Sequence, residues 1–420
     1  MLTILAISSI SAQEKNTLRL SLTDARDYAL KHNYTMQNAA LDVQKNEVAK
    51  WETLTTLLPQ GKLGFDYSNM CGYNINMSGM TIPMNPYGTL SLTASVAVTA
   101  QQIMGVILQN IAIDMSDINR KKTELATVSD VKNVYVSILV MEDIVGLLDS
   151  SLTNMLRLEQ STIESVKAGA AEQINADKLS VQVASLRNSI NTQRRSLEML
   201  YNALLLQLGA DVNTNIELTT KLDEIFSIDD MAKMTLGGFH IEQNHDYQLL
   251  QQNAELSKKQ ILSAWLAFTP TISAYYQYSN KTYFGRDEGF NMTPPHMVGG
   301  TFSLPIFQSG TRIASIKKAR IAYQETLNSK QQAEDGLRVQ YNQLCYDLTS
   351  AIESYNIQKE NITITKRVLD NTSEKYRYGR ASSLEITNAS TDLITAQSNY
   401  VQAVMNVITA QISLEKLLCE

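Results

Sequence analysis

From Ala389 onward, apolar or small residues recur at Ala389, Leu393, Ala396, Tyr400, Ala403, Val407, Ala410, Leu414 and Leu417. The steps alternate four and three residues, the seam of a coiled coil. An earlier stretch, Leu179, Val183, Leu186, Ile190, Gln193, Leu197, Leu200 and Leu204, repeats this pattern 210 residues upstream. Each seam follows a glycine, Gly169 or Gly379, that separates it from another helical pattern. Glycine takes the left-handed conformation that ends one helix, and Ser382 or Ser383 can cap the next. The pattern therefore predicts two long helical hairpins in a tandem duplication.

Upstream of each hairpin the period changes. Helical spacing through Ala25, Tyr28, Ala29, Ala39, Ala40, Val43 and Val48 predicts one helix from Thr23 to Leu58, stopped by Pro59. Leu63, Phe65 and Tyr67 then alternate with polar or small neighbours, and Leu90, Leu92, Ala94, Val96 and Val98 do so without any charge. A period of two marks strands with one apolar face, here 61–69 and 89–99, joined by a loop over 69–88. The second repeat supplies strands 271–280 and 298–305, and Pro270 lies 211 residues after Pro59. Strands of this length can cross a bilayer when tilted.

The long helical patterns span about 100–167 and 311–376, each rod on the order of 100 Å at 1.5 Å per residue. The shorter helices, before Pro59 and after Gly169, are about 54 Å each, so two stacked end to end match one long helix. All seven prolines fall in strand regions, their loops or their ends. None interrupts a long helix, where it would cost about 3 kcal/mol.

The domain reading is a signal peptide at 1–12, repeat 1 at 13–210 with its tip at 169, an acidic equatorial link at 211–238, and repeat 2 at 239–420 with its tip at 379. The apolar start ending Ser-Ile-Ser-Ala is the basis of the export reading.

Composition narrows the function. Of 420 residues, 44% are hydrophobic and 19% charged, which excludes wholesale disorder. A net charge of −6 provides no basic face for nucleic acid. Three scattered cysteines and four histidines show no metal-ligand spacing. There is no phosphate loop, nucleophile elbow or triad. The sequence predicts no enzyme, no cofactor and no metal site.

Four membrane-crossing strands cannot close a barrel alone, and an open edge in lipid leaves backbone groups unsatisfied. Oligomerisation follows, to eight strands as a dimer or twelve as a trimer. The duplicated helix-Pro-strand unit, the run Phe302-Ser303-Leu304-Pro305-Ile306-Phe307 with Gly310 beyond it, and the tip Tyr376-Arg377-Tyr378-Gly379 together resemble the TolC-like outer-membrane efflux proteins.

The resemblance covers essentially the whole mature chain and implies a mixed, mainly α fold. Long antiparallel helical hairpins would build an α-barrel tunnel through the periplasm. Four transmembrane β-strands per chain would form a 12-stranded barrel as a homotrimer in outer-membrane lipid. The implied function is the exit duct of a tripartite efflux or type I secretion system, working with a periplasmic adaptor protein and an inner-membrane pump.

By the same resemblance Glu385 and Asn388 are the pore constriction, where three acidic copies on an axis would narrow the pore and favour cations. Tyr376 is the closed-state latch, with Asn175 at the position of an acidic partner and Arg380 beside Ala381, where an arginine can occur. Ala168, Gly169, Ala170, Tyr378, Gly379 and Arg380 are adaptor-contacting tips. Leu63, Phe65, Leu90, Leu92, Val96, Ile272, Tyr276 and Phe302 are the lipid-facing barrel. The aromatics Phe65, Tyr67, Tyr276, Tyr278, Tyr283 and Phe284 suit an interfacial girdle. A competing reading is an elongated periplasmic coiled-coil structural or adaptor protein with no pore, which would need no strands with a lipid-compatible face.

Overall fold

A computed structural model of the chain describes residues 17–77, 79–225, 227–284 and 294–419. The predicted signal peptide, 1–12, lies outside the described residues. The elements run β1 (Thr17–Leu20), α1 (Leu22–His32), α2 (Tyr34–Thr55), β2 (Gln60–Ser68), β3 (Asn74–Met77), β4 (Met80–Pro83), β5 (Tyr87–Val98), α3 (Ala100–Lys167) and α4 (Gln173–Leu208). They continue β6 (Asn215–Leu218), α5 (Leu222–Ile225), α6 (Ile228–Met234), α7 (His245–Leu266), β7 (Thr271–Tyr283), β8 (His296–Ser303), α8 (Thr311–Arg377) and α9 (Ser383–Leu418). The chain is mainly helical, with long helices and a four-stranded antiparallel sheet.

Two compact units arise, each assembled from both sequence repeats. One comprises residues up to Ala40, Arg120–Tyr247 and those from Glu334 on; the other comprises Leu41–Asn119 and Gln248–Ala333.

The first unit is cored along the helical seams. Val136, Val140, Ile144 and Leu148 of α3 pack with Leu186 and Ile190 of α4, Leu348 and Tyr355 of α8, and Val404, Val407 and Leu414 of α9. They recur at steps of three, four or seven residues, so each helix turns one apolar stripe inward. A second cluster gathers Ala25 and Ala29 of α1 around Tyr135, Ile138, Leu204 and Leu208. The Tyr135 hydroxyl donates to the Leu20 carbonyl at 2.9 Å, which satisfies the buried phenol and anchors β1. β1 pairs in parallel with β6, so the 211–238 link is not merely loop. Lys132 reaches Glu415 at 2.5 Å and ties α3 to the last turns of α9.

One predicted helix is two. Asn33 has extended backbone at φ −64°, ψ 127°, and its side-chain oxygen accepts from the amides of Thr35 and Met36 at 2.7 and 3.2 Å. Those bonds cap α2 as a new helix. The start of α1 is capped by Ser21, with Asp24 completing a capping box, where Thr23 or Asp24 is the sequence choice. The Ser21 hydroxyl and amide hold the Asp24 carboxyl below its usual value.

In the second unit the sheet order is β2-β5-β7-β8. The strands run Gln60–Ser68, Tyr87–Val98, Thr271–Tyr283 and His296–Ser303. The last of these starts and ends two residues earlier than 298–305 because Pro305 donates no ladder hydrogen bond and Leu304 already lies outside the strand. The stretch read as loop over 69–88 contains the small β3–β4 hairpin.

Candidate functional site

Two places carry the functional expectations: the sheet and the hairpin tips. In the sheet, register decides the faces. Leu63 is paired with Leu92 and Leu92 with Tyr278. Phe65 is opposite Leu90, Val96 opposite Ala274, and Ile272 opposite Phe302. All eight expected lipid-facing residues, Leu63, Phe65, Leu90, Leu92, Val96, Ile272, Tyr276 and Phe302, therefore share one face, because directly paired residues project to the same side. Leu63 and Phe302 are 69% and 66% exposed in the single chain, an apolar surface that water does not favour. The other face presents Thr89, Ser91, Thr93 and Ser95 from β5 and Ser273, Gln277 and Ser279 from β7.

Aromatics flank both ends of this sheet. Tyr67 lies 5.9 Å from Phe284, and Tyr87 lies 5.8 Å from Tyr283 with the Lys281 ammonium 3.7 Å from the Tyr87 centroid. At the opposite end Trp265 and Phe268 are 6.0 Å apart, and the Arg312 guanidinium sits 5.3 Å from the Phe268 centroid. By register Tyr67 belongs to the apolar face, whereas Tyr87, Tyr283 and Lys281 belong to the polar one, so Tyr283 does not join the girdle expected on the apolar face.

The tips are built alike. The amides of Ala170 and Arg380 donate to the carbonyls of Ser165 and Lys375, five residues back, at 2.9 and 2.8 Å. Those of Gly169 and Gly379 donate three residues back to Val166 and Tyr376, each at 3.0 Å. This Schellman arrangement needs a left-handed residue, and Gly169 and Gly379 supply it at φ +74° and +66°. The six tip residues, Ala168, Gly169, Ala170, Tyr378, Gly379 and Arg380, are all exposed.

Beyond the glycines the tips differ. α9 opens with a full capping box: Ser382 accepts from the Glu385 amide, and Glu385 Oε2 accepts from the Ser382 amide at 2.7 Å. α4 begins at Glu172 without a side-chain cap. Glu385 thus already has a structural task, while Asn388, one turn on, is exposed.

Tyr376 pairs with a residue that sequence reasoning missed. Its hydroxyl is 2.9 Å from Thr162 Oγ1, and Thr162 in turn donates to the Leu158 carbonyl at 2.9 Å. The bond joins α8 to α3. Asn175 and Arg380 make main-chain bonds within their tips, to Glu172 and Lys375, while the Tyr376 hydroxyl is bonded to Thr162. Thr162 is fully buried and falls seven residues after Met155, itself seven after Leu148, so it holds a core seam position. A hydroxyl at such a position was the available signal. Beside the pair lies a cavity of about 490 Å³ between α3, α8 and α9, lined in part by Arg157, Asp370, Tyr376, Arg377 and Ser390.

Residues 240–420 match the sequence model of the family described as Outer membrane efflux protein. The chain is 22% identical over 374 residues to outer membrane protein TolC of Salmonella enteritidis, covering 87% of this chain and 74% of that one. The chain is thus similar over most of its length to TolC, and its second half matches the outer-membrane efflux protein family. TolC-family efflux channels perform no catalysis. TolC of Escherichia coli strain K12 is likewise 22% identical, over 379 residues, covering 87% of this chain and 76% of that relative.

Solved structures agree in fold. CusC superposes with a TM-score of 0.77 at 18% identity, covering 94% of this chain and 91% of its own. The CmeC outer membrane channel of Campylobacter jejuni gives 0.74 at 14%, covering 94% and 85%.

Proposed function

We propose that three copies of this chain close a twelve-stranded barrel across the outer membrane and that their helices form a periplasm-spanning tunnel. The observation that carries the proposal is the four-stranded sheet, whose expected lipid-facing residues lie on one face and whose outer strands, β2 and β8, each lack one neighbour among the described residues. Open edges cannot persist in lipid, where every backbone donor and acceptor needs a partner. Pairing β8 of one copy with β2 of the next satisfies both edges and generates a ring. Further support comes from α4, where Ile174 and Val181, and again Met199 and Leu206, stand one heptad apart and exposed in the single chain, as a stripe awaiting a neighbouring helix would.

In this account the chain is a passive exit duct of a tripartite efflux or type I secretion system. An inner-membrane pump supplies the energy, and a periplasmic adaptor opens the duct by engaging the tips, Ala168-Gly169-Ala170 and Tyr378-Gly379-Arg380. Glu385 and Asn388 line the constriction, and Tyr376 holds the closed state, with Thr162 as its partner in place of a charged one; Asn175 and Arg380 flank the same closure.

The test is charge placement on the two faces of one strand. Leu92→Arg should abolish assembled outer-membrane oligomers, at a cost of about 2–4 kcal/mol per site near the midplane, whereas Thr93→Arg, facing the lumen, should still assemble. Equal assembly of both variants contradicts the barrel.

A further inference from the structure

The lumen-facing side of the sheet contains a contact between a tyrosine and a glycine that bears on the bore of the duct. Across one row of the ladder stand Gln60, Ser95, Tyr275 and Gly299, paired in that order. Tyr275 is the one aromatic residue of the row, and it belongs to the polar face because its neighbours Ala274 and Tyr276 belong to the apolar one. Its ring does not project away from the sheet. A Cβ built on Gly299 would lie 2.5 Å from Tyr275 Cζ and 2.6 Å from both Cε1 and the hydroxyl oxygen. The ring therefore occupies the space that any side chain at 299 would fill. Gly299 is not at a positive φ, so the backbone there does not require glycine; the space taken by the Tyr275 ring does. Laying an aromatic ring over a cross-strand glycine also restores packing that glycine in a strand forfeits.

We infer that Gly299 sets the bore of the barrel by giving Tyr275 a berth against the wall. The inference rests on the trimeric-barrel reading above. In a trimer three such rings stand at one level of the lumen. Held flat over Gly299 they line the wall; displaced by a side chain at 299 they have only the lumen to enter, since strand β5 fills the other side with Ser95. The pair then acts as a determinant of the largest cargo the barrel passes, and three tyrosine hydroxyls supply its polar lining at that level.

The experiment is electron cryomicroscopy of the full-length protein in lipid nanodiscs, comparing wild type, Gly299→Val and the double variant Gly299→Val/Tyr275→Ala. The wild type should show the Tyr275 ring over Gly299. Gly299→Val should swing the ring toward the axis and narrow the bore at that level by several ångströms, and the double variant should restore it. A Gly299→Val map whose bore equals the wild-type bore overturns the inference. So does a wild-type map with Tyr275 already pointing to the axis. Should Gly299→Val fail to assemble while the double variant assembles, the clash between ring and side chain is confirmed by the rescue, and failure of both overturns the ring as the reason for the glycine. A wild-type particle lacking a threefold barrel would instead remove the trimeric reading itself, an outcome separate from the others.

Discussion

Asn33 and Asn244, 211 residues apart, make the same three hydrogen bonds. Asn33 Nδ2 donates to the Gln207 carbonyl at 2.7 Å, and Asn244 Nδ2 to the Leu417 carbonyl at 2.9 Å. The Asn33 oxygen caps Thr35 and Met36, and the Asn244 oxygen caps Asp246 and Tyr247. Each asparagine thus starts one helix, α2 or α7, and at the same time closes the end of another, α4 or α9. The duplication preserves a working joint and not only a pattern of apolar residues.

Both side chains are buried, and each change to alanine strands a carbonyl and two amides. Asn33→Ala and Asn244→Ala should each cost about 1–3 kcal/mol. Thermal unfolding of the detergent-solubilised protein should show two similar decreases that add in the double variant, because the joints share no hydrogen-bond partner. Asn→Asp should retain the cap and lose only the bond to the carbonyl. An unchanged unfolding temperature for the alanine variants contradicts the joint.

Glu385 offers a separation of roles. Glutamine at the third helical position still closes a capping box, so Glu385→Gln keeps the helix start and removes the charge, while Glu385→Ala removes both. If the constriction reading holds, Glu385→Gln should reduce cation selectivity in planar bilayers with no loss of stability. Asn388→Asp should increase it. Unaltered reversal potentials in both variants would assign Glu385 to capping alone.

Thr162→Val and Tyr376→Phe each remove the bond between α3 and α8 with little change in shape. A net hydrogen bond contributes about 0.5–1.5 kcal/mol, so the open fraction of a two-state tip should rise by about fivefold. Single-channel recording of resting conductance reads this directly. The double variant should match either single one, since both delete the same bond; resting conductance at the wild-type level throughout contradicts the latch.

The thiols should differ in reactivity. Burial pushes the Cys419 thiol above its ordinary pKa; a hydrogen bond from the His245 backbone opposes this and the nearby Asp246 charge adds to it. Cys71 is exposed. Maleimide at neutral pH should label Cys71 first, with Cys419 catching up as pH rises, because the thiolate is the nucleophile. A raised folded-state pKa also means that this group's contribution to stability is present below the unfolded thiol's pKa and is lost as pH rises through the folded one. Equal labelling rates at neutral pH contradict the half-buried thiol with a raised pKa at Cys419.

Much of this fold was legible in the sequence where a period ran long enough. The nine-residue charge-free alternation through Leu90–Val98 and the seam from Leu179 to Leu204 each repeat several times, and repetition defines a face. The break at Asn33 was not legible, because apolar and helix-forming residues continue on both sides and only one asparagine marks the joint. β1 and β6 are four residues each, too short for alternation to stand out, and they find each other across almost 200 residues of chain. Thr162 was hidden for another reason: threonine in a seam reads as a small core residue until its partner on α8 is known. The berth of Tyr275 over Gly299 depends on register, which no single strand contains.

The most direct test of the central claim is electron microscopy of the protein extracted from envelopes in detergent. The account predicts hollow particles with threefold end views and, in side view, a length on the order of 100 Å or more, set by the helices α3 and α8 at 1.5 Å per residue. Solid rods, or a protein that leaves the envelope without detergent, would contradict it.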